Sequence, residues 1–272
     1  MPWQPTTILR FEGSVASSSG VLRVVTDQGK GYLKALGNPE GPQILAREWV
    51  GTNLAKRLGL STFEFAIVEV TETDELPFAK GGLAKPGPAF ITRAEAGAPW
   101  GGSETELKKL VNPHDLARLV VFDTWIRNRD RHPPPGSAWQ PARRNVFFSV
   151  EDAPEGQLRL KAMDHTHSFT WAASLTARLA EIDEVQDERI YGRFAEFEPW
   201  IDRERIKRIL DDLRMVGRGE IVQIVQGIPA AWEVSQVARD AWVNLIGQRA
   251  EWLADNLPGL LWPQQEMNFE NL

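Results

Sequence analysis

The sequence predicts an α+β fold made of two lobes, with a ligand cleft between them. Short alternating patterns typical of strands occupy the first third of the 272-residue chain, whereas long helical patterns dominate the rest. The change falls at residues 99–102, a Pro- and Gly-containing segment typical of a loop. We therefore predict an N-terminal lobe over residues 1–98 and a C-terminal helical lobe over residues 99–272. A cleft between two lobes is a common place for a small-molecule site.

The N-terminal lobe is predicted to contain a three-stranded meander, one helix and two further strands. The strand patterns cover residues 6–12, 20–26, 32–36, 63–71 and 89–92. The helix starts at Pro42, which suits a first helical turn. It stops at Gly59, because glycine tolerates the left-handed conformation in which many helices end.

The C-terminal lobe is predicted to combine four helices with one pair of strands. The helical patterns cover residues 113–128, 172–184, 202–216 and 235–257, and the strand patterns cover residues 146–150 and 158–163. Residues 133–136 read Pro-Pro-Pro-Gly, which cannot be helical and indicates a loop.

Composition and charge argue against several classes of partner, metal site and cellular location. The formal net charge is −6 and no uninterrupted basic block occurs, which argues against nucleic acid as a direct partner. The absence of cysteine excludes disulfides and thiolate metal sites. No apolar run approaches the roughly 20 residues needed to cross a bilayer, and no signal-peptide pattern opens the chain. We expect a cytoplasmic protein without a membrane anchor.

The strongest local motif is Asn-Arg-Asp-Arg-His at residues 128–132, directly after a predicted helix. A carboxylate such as Asp130, held where a helix gives way to a loop, can orient an attacking hydroxyl beside the terminal phosphate of ATP. The alternative interpretation is a solvated, charged helix end.

A second motif surrounds Asp164, at the end of an apolar strand. Its carboxylate and the side-chain oxygen of Asn145, beside the partner strand, are suitable ligands for a hard cation. Zinc held by Asp164, His165 and His167 is an alternative. In a continuing strand, however, Asp164 would point away from both histidines, because successive side chains alternate faces.

A third pair lies in the N-terminal lobe. Lys34 lies on a predicted strand, and Glu48 falls on the apolar stripe of the predicted helix. A buried carboxylate is costly unless it is paired, which makes Lys34 a natural partner. A lysine fixed in this way can hold the phosphates of ATP. Alternatively, both side chains extend to solvent.

A serine-rich loop at residues 13–20 is a weaker candidate for phosphate binding. Its backbone N–H groups and hydroxyls could cover phosphates, although a flexible hairpin turn explains it equally well. What these features share is their order: loop, lysine on a strand, glutamate on a helix, then Asp, Asn and Asp. This is the order of a protein kinase, so we predict a two-lobed, protein-kinase-like fold.

Three segments of the sequence resemble HipA-like kinases. These are residues 31–60 (GYLKALGNPEGPQILAREWVGTNLAKRLGL), 122–132 (FDTWIRNRDRH) and 163–169 (MDHTHSF). The resemblance implies that Lys34 contacts the phosphates of ATP and that Glu48 fixes it. It further implies that Asp130 is the catalytic aspartate and that Asn145 and Asp164 hold Mg²⁺. Residues 90–92, including Ile91 and Thr92, would form the hinge beside adenine, and Ser17, Ser18 and Ser19 the phosphate loop.

The same resemblance implies a function. Members of the family transfer the terminal phosphate of ATP to serine or threonine hydroxyls on proteins, and some are toxins restrained by a DNA-binding antitoxin. We therefore expect ATP, a protein substrate and a possible antitoxin-like regulatory protein as partners. One departure is the insertion at residues 133–144, which separates Asp130 from Asn145. Alternatives are a nucleotide-binding pseudokinase, a kinase acting on a lipid or other small molecule, and an unrelated α+β binding protein.

Overall fold

A computed structural model describes residues 2–171 and 173–263. The N-terminal part is a five-stranded antiparallel sheet in the order β1-β2-β3-β5-β4, packed against one helix, α1. The elements are β1 (Ile8–Ser14), β2 (Leu22–Thr26), β3 (Gly29–Lys34), α1 (Gln43–Arg57), β4 (Phe65–Val70) and β5 (Gly87–Arg93). All five predicted strands and the predicted helix of this lobe are present, with shifts of a few residues at their ends.

The two faces of this sheet pack into two different hydrophobic cores. Leu33 and Ile91 are paired across β3 and β5 and are fully buried in a small core that belongs to the N-terminal lobe. On the opposite face, Lys34 pairs with Phe90, and Phe90 packs into the larger core together with residues of α1. Because side chains alternate along a strand, Lys34 is thereby directed toward α1.

The C-terminal part contains a three-stranded sheet and a set of helices. The strands are β6 (Gly97–Pro99), β7 (Val146–Ser149) and β8 (Arg159–Ala162), in the order β6-β7-β8. The α-helices are α2 (Glu104–Leu107), α3 (Asp115–Ile126), α4 (Ile182–Val185), α5 (Arg203–Arg214), α6 (Arg218–Gln226) and α7 (Gln236–Leu261). Trp125, Trp232 and Trp242 lie in the core between these helices, which gives part of the chain's tryptophan content a packing role.

Two segments differ from the sequence prediction. The helix predicted over residues 172–184 is wrong for its described part: residues 177–180 form a 3₁₀ turn, and only α4 is α-helical. Thr176 starts the turn by accepting a hydrogen bond from the Arg178 N–H, and Glu181 then adopts an extended conformation that interrupts the helix. Ala172 lies outside the described residues. Helix α6 was not predicted, because glycines at both of its ends obscure its pattern.

The chain passes between the two sheets at residues 94–96. Strand β6 pairs with β7 and therefore belongs to the second sheet, although the predicted lobe boundary at residue 98 falls inside it. No helix within residues 2–171 and 173–263 combines the length and apolar character required to span a membrane.

Candidate active site

A buried ionic cluster joins both lobes at the end of β3. The Lys34 ammonium donates to Glu48 at 2.5 Å and to Asp164 at 3.0 Å, so β3, α1 and the segment after β8 meet at one point. The side chains of Lys34 and Glu48 are only 11% and 4% exposed. Burial opposes the charge on Lys34, but the two carboxylates outweigh this effect and raise its pKa. The predicted pairing of Lys34 with Glu48 is therefore observed, and neither side chain extends to solvent.

Asp164 is the more accessible of the two carboxylates in this cluster. Burial alone would raise its pKa, yet Lys34 and the Thr166 hydroxyl hold that pKa well below its usual range. By contrast, burial raises the pKa of Glu48. The Lys34 ammonium therefore pairs with both carboxylates. The Asp164 side chain is 29% exposed, whereas that of Glu48 is 4% exposed.

The backbone at Asp164 is strained. Its φ angle of 57° lies in the left-handed region, which costs a non-glycine residue roughly 1–3 kcal/mol. Strand β8 ends at Ala162, one residue before the predicted end, so strand alternation does not extend to Asp164. The left-handed turn, rather than strand alternation, directs the carboxylate toward Lys34.

Asp130 and Asn145 form a second pair. The Asn145 amide donates a hydrogen bond of 2.7 Å to Asp130 Oδ2, although the two residues lie 15 positions apart. The insertion between them therefore loops outward and leaves its ends together, as the low entropic cost of lengthening a surface loop permits. Lys34, Asp164, Asp130 and Asn145 thus form two contacting pairs in the structure.

Arg131 connects the two pairs. Its guanidinium donates to the backbone carbonyls of Asn145 and, at 3.0 Å, of Met163, the residue before Asp164. It also donates to the Asp123 carboxylate of α3 at 2.7 Å, and both side chains are fully buried. Burial raises the pKa of Asp123 to about 6, against the opposing effect of Arg131. This arginine was present in the sequence motif, but its role in joining three segments was not foreseen.

His167 bridges the two lobes on the other side of Asp130. Its Nδ1 lies 3.5 Å from Asp130 Oδ2, and its Nε2 lies 3.2 Å from Glu40 in the loop before α1. Asp130 and Glu40 together raise the pKa of His167 to about 9, so the ring is a cation at neutral pH. Glu40 carried no signal in the sequence, because its neighbour in space is more than a hundred residues away in the chain.

The neighbouring histidine has a different environment. His165 is completely buried against Phe122, and burial lowers its pKa to about 3. It is therefore neutral, and it lies apart from the Glu40–His167–Asp130 bridge. Within the described ranges, no group of three or more His, Asp or Glu side chains is arranged to hold a metal ion. The zinc alternative thus finds no support in the geometry of Asp164, His165 and His167.

Comparison with protein-family models gives a match over most of the chain. A sequence model described as HipA-like kinase matches residues 24–255, which include both pairs and the bridging arginine. The chain belongs to the HipA-like kinase family. Among curated protein sequences, none matches it.

Two solved structures are similar to this chain. One is the proinflammatory kinase CtkA of Helicobacter pylori, with a TM-score of 0.59 and 12% identity, covering 97% of this chain and 100% of that one. The other is HipA of Shewanella oneidensis, solved with HipB and operator DNA. It has a TM-score of 0.48 and 10% identity, covering 92% of this chain and 67% of that one. At such low identity, the likeness to CtkA establishes the kinase-like fold.

The segment predicted to form the hinge beside adenine is part of a strand. Residues 90–92 lie inside β5, where the backbone pairs with β3 on one side and β4 on the other. The Ile91 side chain is fully buried on the sheet face opposite Lys34, whereas Thr92 shares the face of Tyr32 and Lys34. The link between the sheets begins after Arg93. The apolar pattern identified the strand correctly but could not show where it leaves the sheet.

The serine loop lies at the mouth of the same cleft. Ser17 accepts a hydrogen bond of 3.1 Å from the Val21 N–H, which closes the turn, and Ser19 is buried. His167, and to a smaller degree Ser18, keeps the pKa of Glu40 below its usual value. Ser18 therefore reaches the Glu40–His167 bridge, while Ser17 already has a structural use as a hairpin residue.

The donor set fits a hard divalent cation. In the described part of the chain, no hydrogen bond reaches Oδ1 of Asn145 or Oδ2 of Asp164, so each residue keeps one oxygen available. Mg²⁺ characteristically takes one or two protein oxygens and completes its shell with water and phosphate. Asn145 and Asp164 would be the residues that hold it.

Proposed function

We propose that the protein is an ATP- and Mg²⁺-dependent kinase that phosphorylates serine or threonine hydroxyls of a protein acceptor. The observation that carries this proposal is the pair of contacts Lys34–Asp164 and Asp130–Asn145, joined through Arg131. A lysine, two aspartates and an asparagine from distant segments are thereby linked, and these side-chain types have the chemistry that phosphoryl transfer requires.

The proposed role of Lys34 is to hold the phosphates of ATP. Glu48 keeps the ammonium charged and directs it into the cleft, since an unpaired buried carboxylate would otherwise be costly. Bound Mg²⁺, held by Asn145 and Asp164, would supply charge neutralisation for the triphosphate. The strain at Asp164 is consistent with a residue placed for binding rather than for local stability.

The proposed role of Asp130 is to orient the acceptor hydroxyl and to receive its proton. The hydroxyl oxygen forms a bond to the γ-phosphorus, and the bond from that phosphorus to the oxygen bridging to the β-phosphate breaks, which leaves ADP. Asn145 and His167 both contact Asp130 Oδ2, so its other oxygen remains for the substrate. His167 acts here as a positioning residue, because it contacts Asp130 rather than the reacting atoms.

The test compares Asp130→Asn with Asp211→Asn, an exposed aspartate on α5. Wild type should transfer label from γ-labelled ATP to protein in a lysate only when Mg²⁺ is present. Asp130→Asn should reduce transfer at least about 100-fold, as expected for loss of a general base, while Asp211→Asn should not. Full transfer by Asp130→Asn would overturn the assignment.

Thermal shift with ATP separates the alternatives. Stabilisation by ATP and Mg²⁺ without any transfer would identify a nucleotide-binding pseudokinase, and transfer to lipid or small molecules alone would identify a different acceptor. No stabilisation under any condition would contradict both nucleotide hypotheses. An antitoxin-like regulatory partner is a further proposal from the family resemblance, and co-purification of the protein from its native cells would test it.

A further inference from the structure

Beside Asp130 lies a group of stacked cationic and aromatic side chains, here called the arginine–tryptophan cluster. It comprises Arg127, Arg129, Arg189, Trp139 and Trp171. The guanidinium carbons lie 5.0 Å (Arg127), 4.9 Å (Arg129) and 4.5 Å (Arg189) from the Trp171 ring centre. Such stacking is favourable for a single guanidinium, but three like charges around one ring require compensation.

Two of the three arginines are compensated. Arg127 donates to Asp187 at 2.9 Å and also pairs with Glu184. Arg189 contacts the same Asp187 at 2.7 and 2.9 Å. Although burial opposes the charge on Asp187, Arg189 and its other partners lower its pKa to about 2. These charges are therefore satisfied within the protein.

Arg129 is the exception. In the described part of the chain it has no hydrogen bond and no carboxylate partner, and its Nε atom is buried without an acceptor. Burial lowers its pKa, and the nearby Arg189 adds to that effect. The indole N–H of Trp171 is likewise buried without an acceptor. Two unsatisfied donors at one place are costly, which is typical of a site that an external acceptor completes.

The chain's own insertion builds the outer wall of this site. Trp139, from the insertion at residues 133–144, stacks on Arg129 at 4.0 Å and is 39% exposed. Its other side meets the His167 ring edge-on at 5.9 Å, and His167 in turn contacts Asp130. Trp139 of the insertion therefore connects Arg129 to His167, which contacts Asp130. Arg129 thus lies close to the proposed acceptor site.

We infer that the arginine–tryptophan cluster binds an oxyanion of the acceptor polypeptide, a carboxylate or phosphate side chain within a few residues of the phosphorylated hydroxyl. The inference rests on the proposed kinase function and names its substrate class. A guanidinium fork matches both oxyanions in a bidentate manner. An extended peptide advances about 3.3 Å per residue, so a side chain near the acceptor can reach the cluster.

Open space lies beside the other arginines of the cluster. A cavity of about 290 Å³ is lined by Arg189, Arg193 and Glu188, and one of about 210 Å³ by Arg127, Trp171 and Glu184. Arg129 and Trp139 line neither cavity. No hydrogen bond, ion pair or ring contact among the described residues joins the cluster to Lys34 or Asp164. The proposed anion site and the proposed triphosphate site are therefore built from different side chains. The net charge of −6 disfavours a long nucleic acid at the same place.

The experiment uses three fluorescently labelled, serine-containing peptides that differ only in flanking residues: Asp, phosphoserine or neutral Gln. We expect the wild-type protein to bind and phosphorylate at least one of the two anionic peptides about 10-fold better than the neutral one. This is the gain expected for one charge-assisted hydrogen bond. The two anionic arms show whether carboxylate or phosphate is preferred.

Variants locate the effect. Arg129→Gln and Trp139→Ala should bring the ratio between anionic and neutral peptides close to 1, and Arg129→Lys should restore it only in part, because lysine lacks the planar fork. Arg208→Gln removes the same charge from an exposed position on α5 and should leave the ratio unchanged. The ratio is internal to each variant, so a change in the folded fraction does not affect it.

Binding is measured by fluorescence polarisation, independently of phosphate transfer. If no peptide is phosphorylated but anionic peptides bind through Arg129, the proposed kinase function fails and the anion site stands. If all peptides bind and react equally well, the inference is overturned while the kinase function stands. Tighter binding of a single-stranded oligonucleotide than of either anionic peptide would also overturn it.

Discussion

Asn145 donates a hydrogen bond of 2.7 Å to Asp130, although the insertion at residues 133–144 separates the two residues in sequence. The insertion therefore leaves the Asn145 amide and the Asp130 carboxylate in contact. Nδ2 of Asn145 makes this bond, and Oδ1 of Asn145 accepts no hydrogen bond from the described residues. The pair therefore links the proposed base to a proposed metal ligand.

The first prediction concerns this amide. Asn145→Ala removes one of two proposed oxygen ligands, so the Mg²⁺ concentration for half-maximal ATP stabilisation should rise about 10-fold or more. Thermal shift at fixed ATP and varied Mg²⁺ measures it. Asn256→Ala, at an exposed position on α7, is the control and should not change the Mg²⁺ requirement. An unchanged requirement in Asn145→Ala would remove this residue from the metal site.

The second prediction concerns the buried ionic cluster. Lys34→Met leaves Glu48 and Asp164 without their cation and should lower the free energy of unfolding by about 3–5 kcal/mol. Adding Glu48→Gln should recover part of this loss, because one uncompensated carboxylate is then neutral. Urea denaturation measures wild type, both single variants and the double variant, with Lys207→Met at an exposed position of α5 as control. Strict additivity of the two substitutions would contradict the coupling.

The third prediction is a pH dependence. The folded-state pKa of His167, raised from 6.5 to about 9, gives a stabilisation that is complete below pH 6.5 and lost as the pH rises through 9. The full shift corresponds to about 3 kcal/mol, and solvent screening in the cleft reduces this to about 1–2 kcal/mol.

Urea denaturation at pH 6 and pH 10 measures this loss. His167→Gln cannot carry the charge and should lose about 1–2 kcal/mol less than wild type between the two values. His114→Gln, outside the cleft, should behave as wild type. Equal pH dependence in wild type and His167→Gln would show that the Glu40–His167–Asp130 bridge does not stabilise the protein.

The fourth prediction concerns the support of Arg131. Gly192 has a φ angle of 72°, and a Cβ there would overlap the Asp123 carboxylate that holds Arg131. Gly192→Ala should therefore cost about 2–4 kcal/mol, through backbone strain and displacement of a buried charge.

Gly156→Ala provides a matched control for this substitution. Gly156 has a similar φ angle of 75°, but nothing lies within 4 Å of an added Cβ. It should cost only the strain, about 1–2 kcal/mol. The difference between the two variants, measured by thermal or urea denaturation, isolates the overlap with Asp123. Equal costs would mean that the Asp123–Arg131 pair tolerates movement.

The sequence by itself determined the elements and the chemistry of the proposed site. Period-two and helical patterns identify β3 and α1, because such periodicity is a local property. They also place Lys34 on one face of its strand and Glu48 on the apolar stripe of its helix. Likewise, the carboxylates of Asp130 and Asp164 and the amide of Asn145 have the same acid–base and metal-binding chemistry at any position in a fold. Family membership follows from the sequence match over residues 24–255.

Only the tertiary structure decided which distant residues meet. The pairing of Glu40 with His167, and the stacking of Trp139 on Arg129, join segments whose approach depends on packing of the whole molecule. The helix predicted over residues 172–184 was wrong for the same reason. Side-chain capping and tertiary contacts outweigh the weak helix propensity of this segment. Local pattern fixes what each residue can do, whereas long-range packing fixes the neighbours with which it does so.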